Sequence, residues 1–188
     1  MKIESTAFTE EDLKAFFQES VVFERTRARD DLALADRLEA ASARLTELVG
    51  EMPPGKPGDA ASGDEWTSKD VLIHIGLISA LYAWITEAIA TQAQAEIDLM
   101  SFVNLRDVAG AQRLELSVAE LLTIAQTELD RAAGFLRSTT PSALQRRARV
   151  GPFDLSAEEV ARLGLCAHVE SHVQQFEIAA SRAGWRKR

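Results

Sequence analysis

An apolar stripe at steps of three and four residues recurs along most of this chain. Between about Asp30 and Met52 it consists of Leu34, Leu38, Ala41, Leu45, Leu48 and Met52. This spacing places apolar side chains on one face of an α-helix. Similar stripes run through about residues 67–92, 118–136 and 156–183. Four amphipathic helices of about 19–28 residues each predict an all-α fold, a four-helix bundle.

Capping signals and loops separate these segments. Thr67 with Asp70, and Ser156 with Glu159, have the spacing of a helix-starting capping box. Residues 52–66 and 139–155 contain all five prolines and are predicted as loops. The mixed stretch 93–116 is long enough to cross the bundle. An additional helix is expected from Thr9 to about Phe23, so we predict an N-terminal helical extension over 1–26 and the bundle over 27–188.

Charge and composition indicate which partners and which cellular compartment to expect. The chain has 21 basic and 29 acidic residues, a net charge of −8 that argues against a nucleic-acid partner. The longest uncharged run, Val71–Thr86, is shorter than the roughly 20 residues of a membrane span, which predicts a buried core helix. The lone Cys166 excludes an internal disulfide and fits a reducing compartment. A cytoplasmic protein without nucleic-acid or membrane partners is expected.

The three histidines of the chain are its candidate functional residues. His168 and His172 are spaced i, i+4, which puts both rings on one face of the last helix. His74 lies within the apolar stripe of another helix, so all three are expected to project into the bundle interior. Imidazoles from facing helices are suitable ligands for Zn²⁺, Ni²⁺ or Fe²⁺. The alternative is three hydrogen-bonded core histidines.

Other polar residues near the histidines are weaker candidates. Glu170 and Cys166 each lie about 160° around the helix from His168, so neither is expected to act as a general base or as a fourth ligand. Asp70 precedes His74 by one turn. It is expected to cap the helix, although a carboxylate at that position is also able to orient the imidazole.

Two motifs resemble those of a known superfamily. Residues 66–74 read WTSKDVLIH, similar to the W-S/T-x-x-D-V-L-x-H opening of the second helix in the DinB-like superfamily. Residues 168–175 resemble its H-x-x-x-H-x-x-Q motif on the fourth helix. The superfamily includes the metal-binding N-terminal domain of mycothiol-dependent maleylpyruvate isomerases, and the likeness covers about residues 27–185.

The resemblance implies a bundle with a long crossover connection and a divalent metal at one end. By position the ligands would be His74, His168 and His172. In the isomerase-like branch one ligand of the fourth helix is usually glutamate. Both are histidine here, which favours the general DinB-like or YfiT-like pattern over the isomerase.

Several functions are compatible with this resemblance. The first is a metal-dependent S-transferase or isomerase that uses mycothiol, bacillithiol or glutathione on a small molecule, in detoxification or stress response. The alternatives are a metal-dependent hydrolase and a non-catalytic bundle that binds a metal or small molecule. The basic loop with Arg146, Arg147 and Arg149 is a candidate for holding the carboxylates of a thiol cofactor.

Members of the superfamily are often dimeric, so a homodimer is expected. The apolar residues of the N-terminal helix are the candidate interface: Phe16, Phe17, Val21 and Val22. The sequence identifies neither the catalytic residues nor the residues that would bind a thiol cofactor.

Overall fold

The fold is known from a computed structural model. It describes residues 9–27, 33–53 and 66–182, with the backbone alone for residues 26–27 and 103–108. The long helices in this part of the chain are α1 (Glu10–Arg27), α2 (Leu34–Gly50), α3 (Ser68–Ala90), α4 (Leu99–Ala111) and α5 (Val118–Ser138). The last helical segment consists of α7 (Ala157–Glu159), a π-helix (Val160–Ala167) and α8 (His168–Arg182). The short helix α6 (Pro141–Leu144) precedes it.

Four of these helices form the predicted bundle. Helix α5 packs between α2 and α3, and the last helical segment closes the ring against the other sides of α2 and α3. The stripe residues Leu38, Leu45, Leu129 and Phe176 are almost fully buried in its core. Burial of these side chains away from water provides the main stabilisation of such a fold. The all-α four-helix bundle is therefore confirmed.

The connection between α3 and α5 is a long crossover. Lys69 donates to the carbonyl of Leu114 near the start of α3, and Arg131 approaches Glu87 at 3.5 Å near its end. The two helices therefore run parallel, and residues 91–117 must return along the bundle before α5 begins. This return segment contains β1 (Glu96–Ile97) and α4.

The loop predicted for residues 139–155 contains a hairpin, so that prediction was wrong in part. Strands β2 (Arg147–Val150) and β3 (Phe153–Ser156) pair antiparallel, and β1 adds to β2 in parallel. Side chains along β2 alternate between exposed and buried, the two-residue period of a strand. Gly151 adopts φ 56° at the turn, a conformation that glycine tolerates best.

Helix α1 packs into the same core as the bundle. A capping box forms at its start between Thr9 and Asp12. Leu13 and Phe17 are buried, and the Phe17 ring lies 4.8 Å from that of Phe153. Of the residues proposed as a dimer patch, Phe16 and Phe17 pack inward, whereas Val22 is 61% exposed. The separate N-terminal extension and the homodimer stay predictions.

Helix α3 is the most apolar helix of the bundle. Among the described residues it alone is long and apolar enough to cross a membrane, and 78% of its most apolar window is buried within the protein. Such burial is typical of a core helix. The expectation that Val71–Thr86 forms a buried core helix agrees with this environment.

Candidate metal centre

The three histidines meet in the bundle interior. His74 comes from the first half of α3, and His168 and His172 come from the first five residues of α8. The Nε2 atoms of His74 and His168 lie 3.3 Å apart. One ligand nitrogen from each of the three rings lies within 4.8 Å of the others. The structure thus brings together every residue that the sequence singled out as a ligand.

Hydrogen bonds in the first turn of α3 help to place His74 in the bundle interior. Thr67 caps α3 by accepting from the Asp70 amide, and the Asp70 carboxylate accepts from the Thr67 amide. This capping box fixes the first turn of α3. The expected capping role of Asp70 is confirmed.

A π-helix directly precedes His168. The sequence predicted one uninterrupted α-helix over 156–183, and that detail was wrong because residues 160–167 are wound more widely. Gly164 lies in this π-helix against Tyr82 of α3: a Cβ atom on Gly164 would lie 2.6 Å from Cδ1 of the Tyr82 ring. The absent side chain allows close packing of the two helices. π-helical turns are frequent at functional sites.

Aromatic rings surround the imidazoles. Trp66 stacks parallel to His172 at 5.8 Å and meets His74 edge-on at 4.9 Å. Phe16 of α1 lies 4.5 Å from His168, and Tyr82 lies 5.9 Å from the same ring. These side chains restrict the orientations open to the imidazoles.

These aromatic neighbours are not predicted from the sequence. The only signal at Trp66 is its place as the first residue of the WTSKDVLIH motif. Phe16 is expected in a dimer patch instead. Its contact with His168 depends on how α1 docks, which helical periodicity does not specify.

Gln175 orients one of the imidazoles. The Nδ1 atom of His172 lies 2.8 Å from Oε1 of Gln175, one turn further along α8. An amide oxygen only accepts, so Nδ1 carries the proton and donates. The lone pair of His172 is then on Nε2. Metal-binding histidines are commonly held by such a hydrogen bond from their second nitrogen.

Glu170 belongs to a buried ion-pair network on the side of α8 away from the histidines. Its carboxylate accepts two hydrogen bonds of 2.9 Å from Arg37, which is 1% exposed. Arg37 also donates to both carboxylate oxygens of Glu24 on α1. Burial opposes the charge of Arg37, but these hydrogen bonds outweigh it and raise the pKa of the guanidinium. The prediction that Glu170 points away from the histidines is consistent with these contacts.

Cys166 is buried next to this network. Its thiol donates to the carbonyl of Leu34 at 3.5 Å. Burial raises the pKa of Cys166 to about 12, so the thiol is protonated at neutral pH. A protonated, enclosed thiol is neither a metal ligand nor a nucleophile. This agrees with its exclusion as a fourth ligand.

The basic loop lies far from the histidines. Arg146 donates to the carbonyl of Ala90, at the end of α3. Ala90 follows His74 by sixteen residues, or about 24 Å along the helix. Arg147 pairs with Asp154 and with Glu159. The suggestion that this loop holds an anionic cofactor at the metal centre therefore has no structural support.

Comparison with known proteins identifies the fold. The structure is similar to that of YfiT from Bacillus subtilis, described as a probable metal-dependent hydrolase with an unusual four-helix bundle topology. The TM-score is 0.62 at 17% sequence identity, over 96% of this chain and 93% of that chain. At this identity the likeness shows the fold alone, a YfiT-like four-helix bundle. No protein-family model and no curated protein matches the sequence.

Proposed function

We propose that this protein is a divalent-metal-dependent hydrolase whose ion is held by His74, His168 and His172. The observation that carries the proposal is the convergence of three imidazole nitrogens within 4.8 Å of one another. The YfiT neighbour, described as a probable metal-dependent hydrolase, supports it through the shared fold.

The donor set fits a transition metal. Two nitrogens bound to one tetrahedral Zn²⁺ at about 2.0–2.1 Å are separated by roughly 3.4 Å, close to the 3.3 Å between His74 and His168. The orientation of His172 by Gln175 leaves its Nε2 lone pair for the ion. Three neutral imidazoles suit Zn²⁺ best and also accept Ni²⁺ or Fe²⁺. Three protein ligands are typical of a catalytic zinc site that keeps one position open.

The surrounding residues would then have distinct tasks. A bound divalent ion acts as a Lewis acid and makes water or a thiol more acidic. Gln175 keeps the proton of His172 on Nδ1, and Trp66 holds the planes of His74 and His172. Phe16 and Tyr82 exclude water from one side of His168. Reduced access of water strengthens electrostatic interactions at the centre.

A thiol-dependent transferase or isomerase is the second candidate. The two superfamily motifs favour it, and an open position on the ion is equally suitable for mycothiol, bacillithiol or glutathione. The remote position of Arg146 weighs against bacillithiol and glutathione, because these two thiols carry carboxylates that need cationic partners. For this reason we place the hydrolase first. A small-molecule substrate is proposed in either case.

The test compares the two reactions in one set of proteins. Zinc-loaded wild type is assayed for hydrolysis of para-nitrophenyl acetate, and separately for glutathione-dependent conversion of chlorodinitrobenzene. The proposal predicts ester hydrolysis that falls to background in His168→Ala and after chelation. Thiol-dependent conversion alone would support the second candidate. Loss of neither activity in His168→Ala would show that the centre is not catalytic.

A further inference from the structure

A cavity of about 390 Å³ opens beside the histidines, between α1 and α8. His168 and His172 form part of its wall, together with Ala167 and Ser171. Helix α1 provides the opposite wall. The volume is within the range of small-molecule sites in proteins. A molecule in this cavity would lie against two of the three proposed ligands.

The α1 wall is mostly aromatic. Phe16 and Phe23 both line the cavity, and Phe16 is held in place by contacts with Phe17 and His168. Aromatic faces attract apolar groups, and their negative π-faces also attract organic cations. The shape and chemistry of this wall suit a substrate with an apolar or aromatic body.

The described lining of the cavity carries one charge. Glu19 is the charged residue among these described lining residues, which include no arginine or lysine. In the part of the chain that the structure describes, Glu19 forms no ion pair, whereas Glu24 on the same helix binds both Arg37 and Arg162. The carboxylate of Glu19 therefore remains available to a ligand.

We propose that this cavity is the substrate subsite, that Glu19 determines its specificity, and that the substrate is an amine-bearing molecule with an apolar or aromatic body. The proposal rests on the proposed function, because only the histidines make the cavity a subsite of a reaction. An ammonium group would pair with Glu19, and the body would pack between Phe16 and Phe23. The carboxylate of Glu19 would repel an anionic substrate.

The test uses two probes of nearly equal shape and opposite charge, phenethylamine and hydrocinnamate. Binding is followed through the imidazole NMR signals of His168 and His172 in the full-length protein, as purified and after chelation. At about pH 8 the amine is charged and free histidines are neutral. The chelated sample removes any coordination of the carboxylate to a metal. It also tests the cavity independently of whether the protein binds metal.

We expect phenethylamine to shift both histidine signals and to bind about threefold more tightly than hydrocinnamate, the size of effect of an exposed charge pair. Glu19→Gln should remove that preference, and Phe23→Ala should weaken both probes. Glu11→Gln, an exposed acid of α1 outside the cavity lining, should change neither. Equal binding of the two probes, or a preference that survives in Glu19→Gln, would overturn the charge selection. Unchanged histidine signals would overturn the subsite itself, whereas missing metal with intact probe binding would overturn the proposed function alone.

Discussion

The Nδ1 atom of His172 donates to Oε1 of Gln175 over 2.8 Å, within a single turn of α8. This hydrogen bond determines both the tautomer of His172 and the direction of its second nitrogen. Removing it leaves the ligand in place but lets the ring rotate and change tautomer. Gln175 therefore tests whether the three-histidine centre is organised for a metal.

Gln175→Ala should weaken zinc binding about 10- to 100-fold, the usual cost of losing a partner that orients a ligand. Competition titration with a chromophoric chelator measures the affinity. Gln174→Ala is the matched control because Gln174 is the exposed neighbour on the same helix. Equal zinc affinities in the two variants would show that the hydrogen bond from His172 to Gln175 does not contribute to metal binding.

The ion-pair network of Arg37 should dominate the electrostatic contribution to stability. Arg37→Met leaves the carboxylates of Glu24 and Glu170 without their common partner, and breaking a buried pair costs about 3–5 kcal/mol. Arg44→Met is the control, because its pairs with Glu47 and Glu177 are more exposed and are expected to contribute about 1 kcal/mol or less. Urea unfolding measures both. Similar losses in the two variants would contradict this account.

The free energy of unfolding should depend on pH through the ionisation of Glu24. Burial would raise the pKa of Glu24, but hydrogen bonds from Arg37 outweigh it and hold the pKa below its ordinary value of 4.5. Ionised Glu24 therefore stabilises the fold above that pH, and the contribution disappears as the pH falls through the folded-state value. The difference in unfolding free energy between wild type and Glu24→Gln should shrink toward low pH. A difference that stays constant with pH would contradict this prediction.

Replacing either of two glycines by alanine should change the stability of the protein, but in opposite directions. Gly164→Ala puts a methyl group into the Tyr82 ring, and such overpacking costs about 1–3 kcal/mol. Gly134 lies in α5, and a methyl group added there would meet nothing within 4 Å, so Gly134→Ala should stabilise the protein by about 0.5–1 kcal/mol. Thermal unfolding distinguishes the two. Stabilisation by Gly164→Ala would show that the close contact is not required.

The sequence specified the bundle helices because each carries a periodic stripe, and α3 and the last helical segment also carry a start signal. Capping boxes at Thr67 and Ser156 form where the residue types predict them. The hairpin was missed because its alternation covers only four residues, Arg147–Val150. Such a short pattern is difficult to distinguish from a loop. The π-helix was missed because the apolar stripe over 156–183 does not distinguish it from an α-helix. Its close contact between Gly164 and Tyr82 joins residues that are distant in sequence.

The candidate metal centre was likewise predicted only in part from the sequence. Helical spacing placed His168 and His172 on one face, and the apolar stripe of α3 placed His74 inward. Neither pattern predicts how α1 docks, so the cavity with Phe16, Phe23 and Glu19 emerged only from the structure. Local periodicity determines which face of a helix is buried, whereas the identity of its neighbours depends on long-range packing.

Metal content tests the central claim most directly. Untagged wild type, His74→Ala and His172→Ala are analysed by mass spectrometry after reconstitution with zinc, and circular dichroism verifies their helical content. A single three-histidine site predicts about one equivalent of metal in the wild type and its loss in both variants with the helices intact. A metal-free wild type, or variants that keep the metal, would contradict the account.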